Sequence, residues 1–180
     1  MTTPLTPSTR SCGDCTMCCK LLRIEVLNKP ALEWCTHCST RKGCDIYETR
    51  PEPCRTFHCG YITHAGFGEE WKPTTARMMI VTRFDHIFFH VDPIRPDAWK
   101  QKPYYQQLKS LARSNNANGT HIIVRIKNRF IVVVPERDID LGEIDDNETI
   151  GFNLTQTPQG PVTHVIVSKQ NGEETTTRVF

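Results

Sequence analysis

The pattern of apolar and polar positions in the second part of the chain predicts two β-hairpins. Residues 78–84 and 87–91 are apolar, β-branched or aromatic runs on either side of a short polar break, which is typical of a hairpin. Residues 122–126 and 130–134 repeat this arrangement. The four runs together indicate a small antiparallel sheet.

One main helix is predicted between the two hairpins. Pro103 suits the first helical position, because its fixed φ angle matches the helix and its missing N–H group has no helical partner there. Tyr104, Leu108 and Leu111 follow at helical spacing. The polar residues 115–119 end the helix.

The remaining C-terminal residues predict one more strand and one loop. Residues 162–168 form a last apolar run typical of a strand, whereas the acidic residues 138–148 predict a solvated loop. Strands and a helix in this order favour an α+β fold. We expect an irregular cysteine-rich metal-binding N-terminal module, followed by a small antiparallel-sheet domain with one main helix.

The first part of the chain has a different pattern. Residues 21–27 alternate apolar with charged side chains and predict a short strand. Residues 60–73 contain several glycines without regular periodicity and predict a loosely patterned linker. We therefore divide the chain into a flexible N-terminus over residues 1–10, a metal-chelating module over 11–65 and an α+β domain over 71–180.

Composition narrows the function classes. The chain has 180 residues and a net charge of +2, without the basic face of a dedicated nucleic-acid binder. No stretch has the roughly eighteen consecutive apolar residues that a membrane span needs. The first eleven residues also lack the apolar core of an export signal. We expect a cytoplasmic protein whose partners are metal ions, with no membrane or nucleic-acid partner and no identified protein partner.

The chemistry of the chain is concentrated in its cysteines, which all lie between residues 12 and 59. Thiols at this density are disulfides, redox groups or metal ligands, because packing does not need so many. Their odd number does not suit a closed disulfide framework, and clustered Cys-x-x-Cys spacings in a reducing compartment favour metal binding. The nine candidate ligands are Cys12, Cys15, Cys18, Cys19, Cys35, Cys38, Cys44, Cys54 and Cys59.

The spacing of the first four cysteines is compatible with a shared site. If residues 12–19 are helical, these thiols fall on one face of about 120°. Cys18 and Cys19 are adjacent and point in different directions, so they serve either two neighbouring metals or one metal with a spare thiol. Soft thiolates select zinc, iron–sulfur clusters or cuprous copper. Eight cysteines are the ligand count of two closed zinc sites or of two four-cysteine iron–sulfur clusters.

These motifs resemble those of the CxxCxxCC family, the YkgJ-type cysteine cluster proteins. The motifs are Cys12-x-x-Cys15-x-x-Cys18-Cys19, Lys29-Pro30, Trp34-Cys35-x-His37-Cys38, Gly43-Cys44-x-Ile46-Tyr47, Arg50-Pro51-x-x-Cys54 and Phe57-x-Cys59. The family is described as zinc- or iron-chelating, so the resemblance implies metal binding through these cysteines, with Cys38 as the member that makes the count odd. A flagellin lysine methylase has a similar cluster, which makes an iron–sulfur enzyme an alternative.

The identity of the metal stays open between zinc, iron and an iron–sulfur cluster. The first three cysteines match ferredoxin spacing, but the immediate Cys19 and the missing proline break that match, which slightly favours zinc. His37 and His58 are candidates to replace a thiolate or to support one by a hydrogen bond. An electron carrier and a thiol redox or metal-handling protein remain alternative functions, and no recognisable catalytic motif decides whether the chain is an enzyme.

Overall fold

The computed structural model describes residues 10–40, 42–115, 119–158, 160–169 and 174–179. Its cysteine-rich part has little regular structure. The elements there are helix α1 (Met17–Leu21), strands β1 (Cys38–Ser39) and β2 (Gly43–Cys44), and helices α2 (Glu52–Thr56) and α3 (Gly60–Thr63). The remaining helices are α4 (Pro73–Ala76) and, further along the chain, α5 (Tyr104–Asn115).

The strand expected over residues 21–27 is wrong. The chain there forms a short 3₁₀ helix, Glu25–Leu27, and a single bridge joins Ile24 to Lys29. Asn28 has a φ angle of 48°, which turns the backbone back on itself. The buried Lys29 ammonium donates hydrogen bonds to the carbonyl groups of Lys20 and Leu22. Because a side chain satisfies these carbonyls, they do not pair with a neighbouring strand.

The segment expected to be a loosely patterned linker is helical and buried. It contains α3, a 3₁₀ helix at Glu69–Trp71 and α4, and the side chains of Tyr61 and Trp71 are buried. A Cβ atom on Gly60 would lie only 2.5 Å from Cγ2 of Ile80, so glycine permits α3 to approach the sheet this closely. Gly60 therefore reflects close packing rather than a linker, whereas a Cβ atom on Gly66 would meet nothing within 4 Å.

A five-stranded sheet forms the centre of the fold, and it confirms both predicted hairpins. Its strands run in the order β3, β4, β5, β6, β7. The first two pair antiparallel, and so do β5 and β6. Their bounds are β3 (Met78–Arg83), β4 (His86–Val91), β5 (Ile122–Ile126), β6 (Arg129–Val133) and β7 (Asp138–Glu143).

The sheet is mixed rather than wholly antiparallel, because β4 and β5 run parallel. Parallel neighbours need a long crossover connection, and the segment that contains α5 supplies it. The helix predicted from residue 103 onwards is confirmed as α5, and it packs its buried Leu108 and Ala112 towards the sheet. The α+β class is confirmed, and the sheet contains one parallel pair.

The acidic residues 138–143 form strand β7, so the solvated loop expected there is wrong. Ile139 and Leu141 alternate with Asp138 and Asp140 and are buried, which is the period of two that a half-buried strand shows. The aspartates have cationic partners: Lys109 Nζ lies 2.8 Å from Asp138 Oδ1, and Arg129 pairs with Asp140. Their charges are thus compatible with sheet formation.

A second sheet of three antiparallel strands follows, in the order β10, β9, β8. The predicted last strand lies within β9, whereas its two neighbours were not predicted. Val165 and Val167 of β9 pack with Val132 and Leu141 of the first sheet. The bounds are β8 (Glu148–Thr157), β9 (Gly160–Lys169) and β10 (Glu174–Val179).

The main hydrophobic core joins the cysteine-rich segment to the first sheet. Met17 and Leu21 of α1 and the Cys59 side chain belong to the same buried cluster as Trp71 and Phe89. The cysteine-rich segment therefore shares the core of the sheet. Within the described ranges, no helix combines the length and the apolar character needed to cross a membrane.

Candidate metal centre

The cysteines come from separate stretches of backbone that glycine and hydrogen bonds bring together. Cys12 and Cys15 lie in a turn closed by the hydrogen bond from the Cys15 amide to the Cys12 carbonyl (2.9 Å), so the helix begins only at Met17. Gly43 has a φ angle of 114°, which favours glycine, and a Cβ atom there would lie 3.4 Å from the Gly13 carbonyl oxygen. The turn that contains Cys12 and Cys15 therefore meets the strand that contains Cys44 at this contact.

Helix α1 places Cys18 and Cys19, and a backbone hydrogen bond adds Cys35. The Cys35 amide donates to the Cys19 carbonyl at 3.0 Å. Cys54 lies in α2 behind Pro51, whereas Cys59 directly precedes α3 and is buried in the main core. The thiols are therefore positioned by short elements that the sheet supports from one side.

Seven of the thiols line one cavity of about 140 Å³ beside α1. Its wall also contains His37, Arg23 and Arg50, together with apolar side chains such as Leu22 and Ile46. The seven cysteines are Cys12, Cys15, Cys18, Cys19, Cys35, Cys44 and Cys54.

A second cavity, of about 40 Å³, adjoins the first and reaches towards the sheet. Cys59 lines this cavity only, next to Met17 and Met79. Four thiols lie on both cavities: Cys12, Cys15, Cys18 and Cys54. Eight thiols thus line the two adjoining cavities, and they are the eight left when the odd member Cys38 is set aside.

Cys38 lines neither cavity. Burial raises the pKa of its thiol, and interactions with the side chains of Cys19 and Thr16 act in the opposite direction. Cys38 therefore adds no thiol to the cavity wall.

The thiols surround the cavities and do not converge on a point. Among the residues that the structure describes, no three His, Cys, Asp or Glu side chains are close enough together to hold a metal ion as they stand. All nine cysteines are free thiols. The donor chemistry fits a soft metal, and binding requires the thiols to move towards one another.

Burial controls the acidity of most of these thiols. It raises the pKa of Cys12, Cys54 and Cys59, and it raises the pKa of Cys15 to about 11, because the thiolate loses solvation inside the protein. Cys18 differs: its hydrogen bond with the Cys19 thiol lowers its pKa to about 7. Within the Cys18–Cys19 pair, Cys18 is therefore the thiol that ionises first.

Arg50 is the cation on the wall between the two cavities. Its Nε donates a hydrogen bond to the Tyr47 carbonyl at 2.7 Å, and its guanidinium lies 3.6 Å from the centre of the Tyr47 ring. It lines both cavities, and its charge helps to lower the pKa of Cys18 after the hydrogen bond with Cys19. The motif Arg50-Pro51-x-x-Cys54 contains Arg50 but does not reveal its contact with Tyr47, because that contact depends on the turn between the two residues.

The candidate histidines are placed differently. His37 lies on the wall of the larger cavity, where it can support or replace a thiolate. His58 lines neither cavity, and its Nδ1 lies 2.8 Å from the Thr56 carbonyl oxygen. His37 is therefore the better candidate of the two.

Comparisons with known proteins found no family model, no curated protein and no solved structure that matches the chain. The resemblance to the CxxCxxCC family therefore rests on the spaced motifs quoted above.

Proposed function

We propose that this chain binds metal ions, zinc or iron, through its cysteine cluster. The observation that carries the proposal is the arrangement of eight thiols, from stretches up to 47 residues apart in sequence, around two adjoining cavities. A packed core needs no such accumulation of thiols. The resemblance to zinc- or iron-chelating proteins points to the same eight residues.

We divide the eight thiols into two sets of four by the other thiols with which each one interacts. Burial is the main cause of the raised pKa of Cys15, and the nearby thiols of Cys18, Cys59 and Cys12 add to it. Cys59 interacts in the same way with Cys18 and Cys12. We assign Cys12, Cys15, Cys18 and Cys59 to a first site, beside the smaller cavity.

The members of the second set all line the larger cavity. Burial raises the pKa of Cys54, with further contributions from Cys18, Cys35 and Cys44. The Cys19 thiol interacts with Cys44 as well. We assign Cys19, Cys35, Cys44 and Cys54 to this second site, so that the adjacent Cys18 and Cys19 serve different metals.

Four thiolates per site match the closed coordination of structural zinc and the ligand count of a four-cysteine iron–sulfur cluster. The short elements of this segment can rearrange so that the thiols close around a metal. The free energy of metal binding would drive this rearrangement, because it contributes directly to folding in such sites. Arg50 offsets part of the negative charge that bound thiolates would create.

The division predicts a specific pattern of metal loss. Replacing Cys59 or Cys44 with serine removes one ligand from one site, so each variant should retain about half of the wild-type metal, and the double variant should retain almost none. Cys38→Ser is the matched control, because Cys38 lines neither cavity, and it should retain nearly all. Metal per chain is measured by elemental analysis after purification without oxygen.

Two outcomes would contradict the assignment. If Cys38→Ser lost as much metal as Cys44→Ser, the cavity wall would not define the ligands. If Cys59→Ser alone removed all the metal, the two sites would be one.

A further inference from the structure

A buried ion pair joins helix α1 to the end of strand β4. Lys20 Nζ lies 2.6 Å from Asp92 Oδ1, and the two side chains are 5% and 0% exposed. The same oxygen accepts a hydrogen bond from the Ile94 amide at 3.1 Å, while the other carboxylate oxygen contacts the Arg77 guanidinium. Asp92 is thus held by Arg77 and the Ile94 amide, and it makes one ion pair with α1.

A second buried lysine holds the C-terminal end of α1. Lys29 is 6% exposed, and its ammonium donates to the carbonyl of Lys20 at 2.9 Å and to that of Leu22. These carbonyls belong to the last turn, where helical partners are missing. The helix is therefore held at its end as well as from its side.

Tertiary contacts of this kind decide the position of α1 because the helix has only five residues. A single hydrogen-bonded turn is not stable on its own in water, since the entropic cost of fixing its backbone exceeds the gain from its few hydrogen bonds. Met17 and Leu21 give it an apolar face against the sheet, but apolar packing is not directional. The hydrogen bond from Lys20 to Asp92 is directional, so it fixes the orientation of α1.

The position of α1 in turn sets three thiols. Cys18 and Cys19 lie on α1, and Cys35 is joined to it by its amide hydrogen bond to the Cys19 carbonyl. A rotation of α1 would move thiols that belong to both proposed sites.

We propose that Asp92 is a positioning residue for the metal centre: its carboxylate, held in the sheet, orients α1 through Lys20 and so places the thiols of Cys18 and Cys19. The inference rests on the proposed metal binding. Asp92 lines neither cavity and acts through Lys20. Supporting residues of metal sites affect affinity by about 10- to 100-fold when replaced, which is the range expected for Asp92→Asn.

The matched control is Asp138→Asn. Asp138 is also paired with a lysine, at 2.8 Å from Lys109, and accepts a hydrogen bond from Tyr105, but it lies on β7 and lines neither cavity. Both variants remove one negative charge from an ion pair of the same domain. General destabilisation should therefore affect both, whereas a positioning role should affect one.

Two measurements separate these cases. The dissociation constant for zinc is determined by competition with a chelator, and amide hydrogen exchange of residues 17–22 is followed in metal-free, reduced protein. Asp92→Asn should weaken zinc binding by about 10- to 100-fold and accelerate exchange in α1. Asp138→Asn should leave both at wild-type values.

Equal effects in the two variants, or an unchanged zinc affinity in Asp92→Asn, would overturn the inference. If the wild-type chain bound no zinc, the proposed function would fail for that metal, while exchange in the metal-free protein would still show whether Asp92 holds α1. Should Asp92→Asn not fold, Lys20→Met breaks the same bond but leaves Asp92 with Arg77 and the Ile94 amide. It should weaken zinc binding to the same degree, and wild-type affinity in that variant would also overturn the inference.

Discussion

Trp71 is the side chain whose removal should most clearly show that the segment after the cysteines is packed. It is 1% exposed, and its ring centre lies 5.2 Å from those of Phe67 and Phe89 and 5.0 Å from that of Tyr104. Its Nε1 donates a hydrogen bond to the Gln107 side chain on α5. Trp71→Ala removes all these contacts at once.

The expected cost follows from this environment. Replacing a buried tryptophan by alanine costs about 3–5 kcal/mol, because transfer free energy is lost and a cavity remains. Three aromatic contacts and an unpaired Gln107 oxygen place Trp71 in the upper half of that range, at about 4 kcal/mol. Domains unfold with about 5–15 kcal/mol in total, so the loss is a large fraction. At about 2–4 °C per kcal/mol for a chain of this size, the melting temperature should fall by about 8–16 °C.

The assay is urea and thermal unfolding of metal-free, reduced protein, followed by far-ultraviolet circular dichroism. Trp34→Ala is the control: this residue is 44% exposed, and the Lys20 ammonium lies 5.7 Å from the centre of its ring. That contact is worth about 0.5–1 kcal/mol and the partly buried ring adds the loss of some apolar burial, so the control should lose clearly less stability than Trp71→Ala. If both variants lost the same stability, the segment would behave as the linker that its glycines suggested.

Two further predictions concern the metal-free state. Removal of metal should accelerate amide exchange most over residues 29–57, where few side chains are buried, and least in α1 and at Tyr61, which belong to the main core; uniform exchange across residues 12–61 would contradict this. Burial raises the pKa of Cys15 from 9.0 to about 11, so the folded state holds that proton more tightly than the unfolded state. The contribution of this thiol to the free energy of unfolding should therefore be fully present below pH 9 and be lost as the pH rises from 9 to 11. The urea midpoint of Cys15→Ser should fall less steeply over that range than the wild-type midpoint. Parallel curves for the variant and the wild type would show that the thiol does not contribute.

Elements with a strong local pattern could be predicted from the sequence. The two hairpins and α5 were predicted because period-two and helical spacings report directly which face is buried. Strand β7 was missed, since Asp138 and Asp140 conceal an alternating pattern that only their partners Lys109 and Arg129 make compatible with a sheet. The parallel pairing of β4 with β5 depends on how the crossover packs, which no local pattern encodes.

The candidate site, too, could be predicted only in part from the sequence. The cysteines were identifiable from their spacing, and the separate status of Cys38 follows in the structure from its position outside both cavities. The roles of Arg50 and of the Lys20–Asp92 pair were not identifiable, because the interacting groups are brought together by turns or lie 72 residues apart. Partners of a site that lie far apart in sequence can be identified only from the three-dimensional structure.

The most direct test of metal binding is the metal content of the wild-type chain. The protein is purified without oxygen, its visible spectrum is recorded, and zinc, iron and labile sulfide are measured per chain. Eight thiolates in two sets of four predict two filled sites per chain, as about two zinc ions in a colourless protein or as two iron–sulfur clusters in a brown one with comparable iron and sulfide. Metal far below one equivalent, with the cysteines recovered as free thiols or reversible disulfides, would contradict the account.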